Sequence, residues 1–133
     1  MVIPCNKGNA YNQLVLKEYL VYKMYNLLTE KSFKTRLLVI DFKDSEEKKP
    51  PFQAYGFVIE PVDDMASRNK CKEFTAKLLQ ENTDRSQMTL VALFEYMIGN
   101  TDWRVPVYHN IKMMVPKKDS LQIWFKPFKI EKS

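Results

Sequence analysis

A chain of 133 residues, 45% hydrophobic and 13% aromatic, holds enough apolar material for one core and is too short for two ordinary domains. Three glycines, seven prolines and 28% charged residues exclude the disordered, collagen-like and low-complexity classes. The net charge of +5 is concentrated between Lys112 and Ser133, where six lysines stand against Asp119 and Glu131. A basic tail on a nearly neutral body argues against a groove that reads nucleic acid. No apolar run approaches the roughly 18 to 20 residues that cross a bilayer, and residues 1–7 lack the charged-then-apolar order of a secretory signal. Cys5 and Cys71 form no CxxC, and His109 is the sole histidine, which excludes a zinc set; two separate thiols are expected, with a disulfide between them the alternative.

In chain order, residues 11–29 carry Leu16, Leu20, Met24, Leu27 and Leu28 as one apolar stripe at the helical period, predicting an amphipathic helix that starts near Asn9 or Asn12. Residues 35–42 and 55–60 are short, apolar and β-branched; the charged, proline-bearing loop 44–51 between them predicts an antiparallel hairpin. Pro61 stops the second strand, residues 62–66 cross over, and Phe74, Leu78 and Leu79 suggest a helix within 69–80. Leu90, Leu93, Phe94, Met97 and Ile98 make residues 86–98 a buried helix, with Ser86 as its cap and Gly99 as a left-handed stop. Residues 111–115 predict a short strand and 116–120 a turn, while the last ten residues show no period. The expected fold class is α+β: an antiparallel hairpin packed with an amphipathic helix, then a mainly helical part.

The pointed chemistry lies between the buried helix and the strand after it, in Asn100, Asp102, His109 and Asn110. A loop on a rigid scaffold is where binding and catalytic groups are held. An aspartate followed at short range by an asparagine suits phosphoryl transfer: the carboxylate orients a hydroxyl and the amide oxygen helps hold magnesium. The structural alternative is a helix-exit turn in which Asn100 and Asp102 bond nearby backbone groups. His109 reads as a hydrogen-bond partner within the loop, Trp103 and Tyr108 as aromatics that pack it down, and Glu18 and Glu60 as solvated or helix-face carboxylates.

The order of elements resembles the middle of a protein-kinase-like fold, from the small-lobe helix to the catalytic loop. More narrowly, Tyr55-Gly-Phe-Val-Ile-Glu-Pro-Val-Asp63 and Phe94-Glu-Tyr-Met-Ile-Gly-Asn-Thr-Asp102 look like segments of the spore-coat-H-type atypical kinases and related uncharacterised bacterial proteins. The toxin kinases with Asn-Thr-Asp followed by His and Asn are more distant in the same pattern. The resemblance covers residues 11–118 and divides the chain into a small-lobe-like part, 11–60, and a large-lobe-like part, 61–118, leaving 119–133 unassigned. It implies ATP and magnesium as cofactors, Asp102 as the catalytic aspartate and Asn110 as a metal ligand. Glu18 becomes the helix glutamate that pairs with a phosphate-contacting lysine, and Glu60 opens the hinge beside the nucleotide base. The chain departs from the pattern in three ways: the gap from Asp102 to Asn110 is three residues longer than Asp-x-x-x-x-Asn, no glycine-rich loop or strand lysine precedes Glu18, and only Asp119 offers a second metal aspartate. The expectation is therefore a piece of such a kinase, truncated at both ends and inactive by itself, with an interaction or structural module as the alternative.

Overall fold

The computed structural model describes residues 1–46, 48–76, 82–104 and 111–117, together with the backbone of 122–125. Helix α1 (Asn9–Leu28) is followed by β1 (Thr35–Phe42) and β2 (Phe52–Ile59), then α2 (Val62–Arg68), β3 (Cys71–Phe74), α3 (Arg85–Met97), β4 (Ile111–Pro116) and β5 (Gln122–Phe125). β1 and β2 form an antiparallel hairpin in register from Thr35 opposite Ile59 to Phe42 opposite Phe52, and the Phe42 and Phe52 rings stack at the loop end, 4.8 Å apart. β3, β4 and β5 make a second, antiparallel sheet in that order. The architecture is α+β, with the expected hairpin and helix, and the part expected to be mainly helical holds a three-stranded sheet beside its two helices.

Two apolar clusters fill the interior, and α1 serves both. Its Val15 and Tyr22 join Phe33, Phe57, Met65 and Met114, while its Tyr25 joins Met88, Val91, Phe94, Ile111 and Met113. β4 lies between the two: Ile111 and Met113 point one way and Met114 the other, as alternate residues of a strand covered on both faces must. Phe57 is wholly buried, with the Tyr19 and Tyr22 rings at 5.8 and 5.6 Å, and its burial contributes roughly 2 to 3 kcal/mol.

The α1 helix forms as its period predicts, but the leucine stripe does not face the core. Val15, Glu18, Tyr22 and Tyr25, also at helical spacing, are the buried face, and Leu20, Met24, Leu27 and Leu28 are exposed. Aromatic rings bury more apolar area than leucines, so the tyrosine face wins and Glu18 is carried inward with it. Gly8 occupies the cap position; Asn12 instead accepts the Tyr55 amide at 3.1 Å, tying the first turn to β2. The helix expected within 69–80 is also corrected. The helix is α2, which ends at Arg68, and Cys71–Phe74 is a strand; residues 77–80 lie outside the described residues. Lys70, a non-glycine residue at φ 57, turns the chain between them, and pairing with β4 replaces the helical bonds. The cap of α3 is Asp84, which accepts the Gln87 amide at 2.8 Å, in place of Ser86. Both cysteines are free, Cys5 exposed and Cys71 buried. No described helix is long and apolar enough to cross a membrane.

Candidate functional site

The exit of α3 is built by backbone bonds. The Gly99 amide donates to the Tyr96 carbonyl at 3.1 Å and the Asn100 amide to the Glu95 carbonyl at 2.9 Å, with Gly99 at φ 71. This paired closure needs a left-handed residue, as expected of Gly99. It aims the Asn100 side chain inward, where it is 8% exposed, and its Oδ1 accepts the Asp102 amide at 3.0 Å. Asp102 is thereby held on an exposed turn directly after a buried helix, and Trp103 packs against the second core cluster, as expected.

Beneath the turn lies a group that the sequence reading passed over. Glu95 is fully buried, and among the described residues neither of its carboxylate oxygens has a hydrogen-bond partner; nor does the buried Asn100 Nδ2. Burial pushes the Glu95 carboxyl up to about 7; the Asn100 amide is near enough to act in the opposite direction, though without a hydrogen bond of normal geometry. From α1, the Tyr25 hydroxyl is raised well above its usual range by burial first and by Glu95 second, and the Tyr25 ring packs 4.8 Å from that of Phe94. The missed signal is positional: Glu95 follows Val91 by four residues and Met88 by seven, which places it on the buried face of α3.

The other candidate residues lie in different surroundings. Glu60 is engaged by Arg68, whose Nε donates to Oε1 at 3.1 Å and whose second amino nitrogen donates to Oε2 at 2.9 Å, while the Lys34 amide also donates to Oε2 at 2.9 Å. Arg68 additionally donates to the carbonyls of Glu30 and Ser32. Burial acts to raise the Glu60 carboxyl, but the Arg68 and Lys34 hydrogen bonds and charges outweigh it and hold the carboxyl below its ordinary range. Glu18 is buried on α1 near Tyr22, whose hydroxyl is raised by burial and then by this carboxylate. Asn110, His109, Tyr108 and Asp119 lie outside the described residues.

The structure therefore brings Asn100 and Asp102 together and adds Glu95, while Glu60 serves an ion pair. Among the described residues no group of three or more histidine, cysteine, aspartate or glutamate side chains is placed to hold a metal ion. At the turn the described residues supply one carboxylate, Asp102, so a magnesium ion there would take its remaining ligands from phosphate, water and residues outside the described ones. What the turn offers chemically is an exposed carboxylate, on a backbone held by Asn100, able to accept a hydrogen bond from a hydroxyl. Comparison with protein-family models, curated protein sequences and solved structures found no match to this chain.

Proposed function

We propose that this chain is the middle portion of an atypical kinase-like protein carrying out ATP- and magnesium-dependent phosphoryl transfer, and that it is inactive as it stands. Asp102 orients the acceptor hydroxyl and Asn110 contributes to the magnesium site. Glu18 pairs with a phosphate-contacting lysine of the intact protein. The Glu60 carboxylate is occupied by Arg68, so contact with a nucleotide base runs through the chain that follows it. The observation that supports this reading is the exposed Asp102 on a turn directly after a buried helix; the Asn100 to Asp102 amide bond that closes this turn fits the helix-exit alternative equally. Preorganised placement of such a group is what phosphoryl transfer asks of a protein. The test is a titration of the chain with magnesium and ATP, followed residue by residue through amide chemical shifts. Magnesium-dependent shifts centred on residues 100–104, lost in Asp102→Ala with an unchanged melting temperature, support the reading. Tight binding is not expected of this chain, so the titration runs to millimolar magnesium and ATP; shifts that are absent even there, or that survive in Asp102→Ala, overturn the reading.

A second reading, an interaction module, has its own observation: the stripe of Leu20, Met24, Leu27 and Leu28 is exposed, Leu27 to 88%. Its occupant in this reading is a second copy of the chain. Lys17 and Glu30 flank the stripe at opposite ends, so an antiparallel mate sets each lysine beside the other copy's glutamate. Sedimentation should then show a dimer that Leu27→Glu dissociates; a monomer at every concentration removes the reading.

A further inference from the structure

We infer that Glu95 is a positioning residue, and that its carboxyl, acting through the Asn100 side chain, makes the turn at 100–103 a proton-operated element: closed when Glu95 carries its proton and loosened when it does not. The inference concerns the turn itself and holds whatever reaction Asp102 serves.

One side chain links the two ends of the device. Asn100 Oδ1 holds the Asp102 amide at 3.0 Å, and the Nδ2 of the same amide group is buried without a hydrogen-bond partner. Glu95 and Asn100 are also joined through the backbone by the 2.9 Å bond that closes the helix. The Glu95 carboxyl and the group that fixes Asp102 are thus joined by the helix-closing backbone bond, with the Asn100 amide close to the carboxyl.

The surroundings decide which state is favoured. Tyr25, from α1, is the titratable group coupled to Glu95, and it stays neutral throughout the relevant range. Among the described residues no cation acts on the Glu95 carboxyl, and β4 brings apolar Ile111 and Met113 to this side of the core. A charged carboxylate enclosed in this way lacks the two or three donors that would replace its water. The closed turn accordingly favours the neutral acid, in keeping with a carboxyl held up to about 7.

An ionised Glu95 regains water most readily through the turn rather than through the helix. Gly99, Thr101 and Asp102 are exposed, and a Cβ built on Gly99 would meet nothing within 4 Å. Opening there breaks the Asn100 to Asp102 bond and leaves the helix hydrogen bonds intact. Trp103, packed on the same cluster, reports the event.

The experiment uses the full chain with Trp124→Phe, so that Trp103 is the only indole. Its emission and near-ultraviolet dichroism are followed across neutral pH, with far-ultraviolet dichroism as the control for global unfolding. The expected result is a sigmoid with its midpoint near 7 at constant helix content, absent in Glu95→Gln and in Asn100→Ala and unchanged in His109→Gln. A sigmoid that survives in Glu95→Gln, or one that disappears in His109→Gln, overturns the inference, as does a flat signal in the chain that retains Glu95. Should Glu95→Gln fail to fold, Asn100→Ala decides alone, because a titration that persists without the Asn100 amide removes the link.

Discussion

Replacing Glu95 by glutamine keeps shape and volume and removes only the ability to ionise, so it isolates the cost of a buried charge. The carboxyl is raised in the folded chain from an ordinary 4.5 to about 7, so the folded state binds more protons than the unfolded one between those values. Its contribution to stability is therefore complete below about 4.5 and is lost as pH rises through about 7. At about 1.4 kcal/mol for each pH unit, the whole loss is on the order of 3 kcal/mol. That figure is a ceiling, since local opening at residues 99–102 hydrates the carboxylate without unfolding the chain. Glu95→Gln should match the parent near pH 4 and exceed it by up to about 3 kcal/mol near pH 8, or roughly 10 °C in melting temperature for a chain of this size. Urea unfolding at a series of pH values, followed by far-ultraviolet dichroism, measures the difference curve directly. A difference that is constant with pH, or one that falls as pH rises, would refute the reasoning, because only a raised carboxyl produces a gain confined to the alkaline side.

Arg68→Ala should cost about 3 kcal/mol, because it strips partners from the Glu60 carboxylate and from the Glu30 and Ser32 carbonyls together, whereas Glu60→Gln should cost about 1 kcal/mol; urea unfolding at neutral pH ranks them. Glu60 lies below its ordinary range, so its contribution is present above about 4.5 and is lost as pH falls, and Glu60→Gln should flatten the acid limb of the stability profile. Gly56→Ala should destabilise by about 2 kcal/mol, because the new Cβ would stand 2.5 Å from Ile40 Cδ1 and 3.0 Å from the Val2 carbonyl oxygen; faster amide exchange at Val2 and Phe57 would locate the damage. Gly99→Ala should cost only about 1 kcal/mol, since the space there is open and the penalty is that of φ 71 alone, and Gly99→Asn should cost less, as thermal melts would show.

What the sequence discloses follows the range of the interactions involved. The hairpin and α3 are legible because their signals are local: a proline-bearing loop between two β-branched runs, an apolar period, and a glycine where a left-handed residue is required. β3 is not legible, because four residues are too few to show a period. What makes Cys71–Phe74 a strand is pairing with β4 some forty positions away, reinforced by the 2.6 Å ion pair between Glu73 and Lys112. The orientation of α1 was hidden for another reason. Two apolar faces compete for the core on one helix, and choosing between them requires knowing that Phe57 will stand opposite Tyr19 and Tyr22. The turn that Asn100 closes on the Asp102 amide was legible from residue type, as the helix-exit alternative. Glu95 was not, because a glutamate within a helix is ordinarily read as solvated, and only its position relative to Met88 and Val91 contradicts that.

The two carboxylates that matter most to this fold have opposite surroundings, and the contrast bears on where the chain yields. Glu60 sits at the junction of β2 and α2 with its oxygens saturated by Arg68 and Lys34, and Arg68 also ties down the segment after α1, so this junction has little to gain from moving. Glu95 sits under the Asp102 turn with its oxygens unsatisfied, so any motion that admits water there is rewarded. Both are carboxylates of similar size and both lie largely inside the protein; the difference is the guanidinium that one has and the other lacks. Among the described residues the carboxylate without hydrogen-bond partners lies under an exposed turn, while the carboxylate at the joint between hairpin and helix is held by Arg68 and Lys34, so that turn opens more cheaply than the joint. It is also the turn that presents the carboxylate on which the proposed function depends.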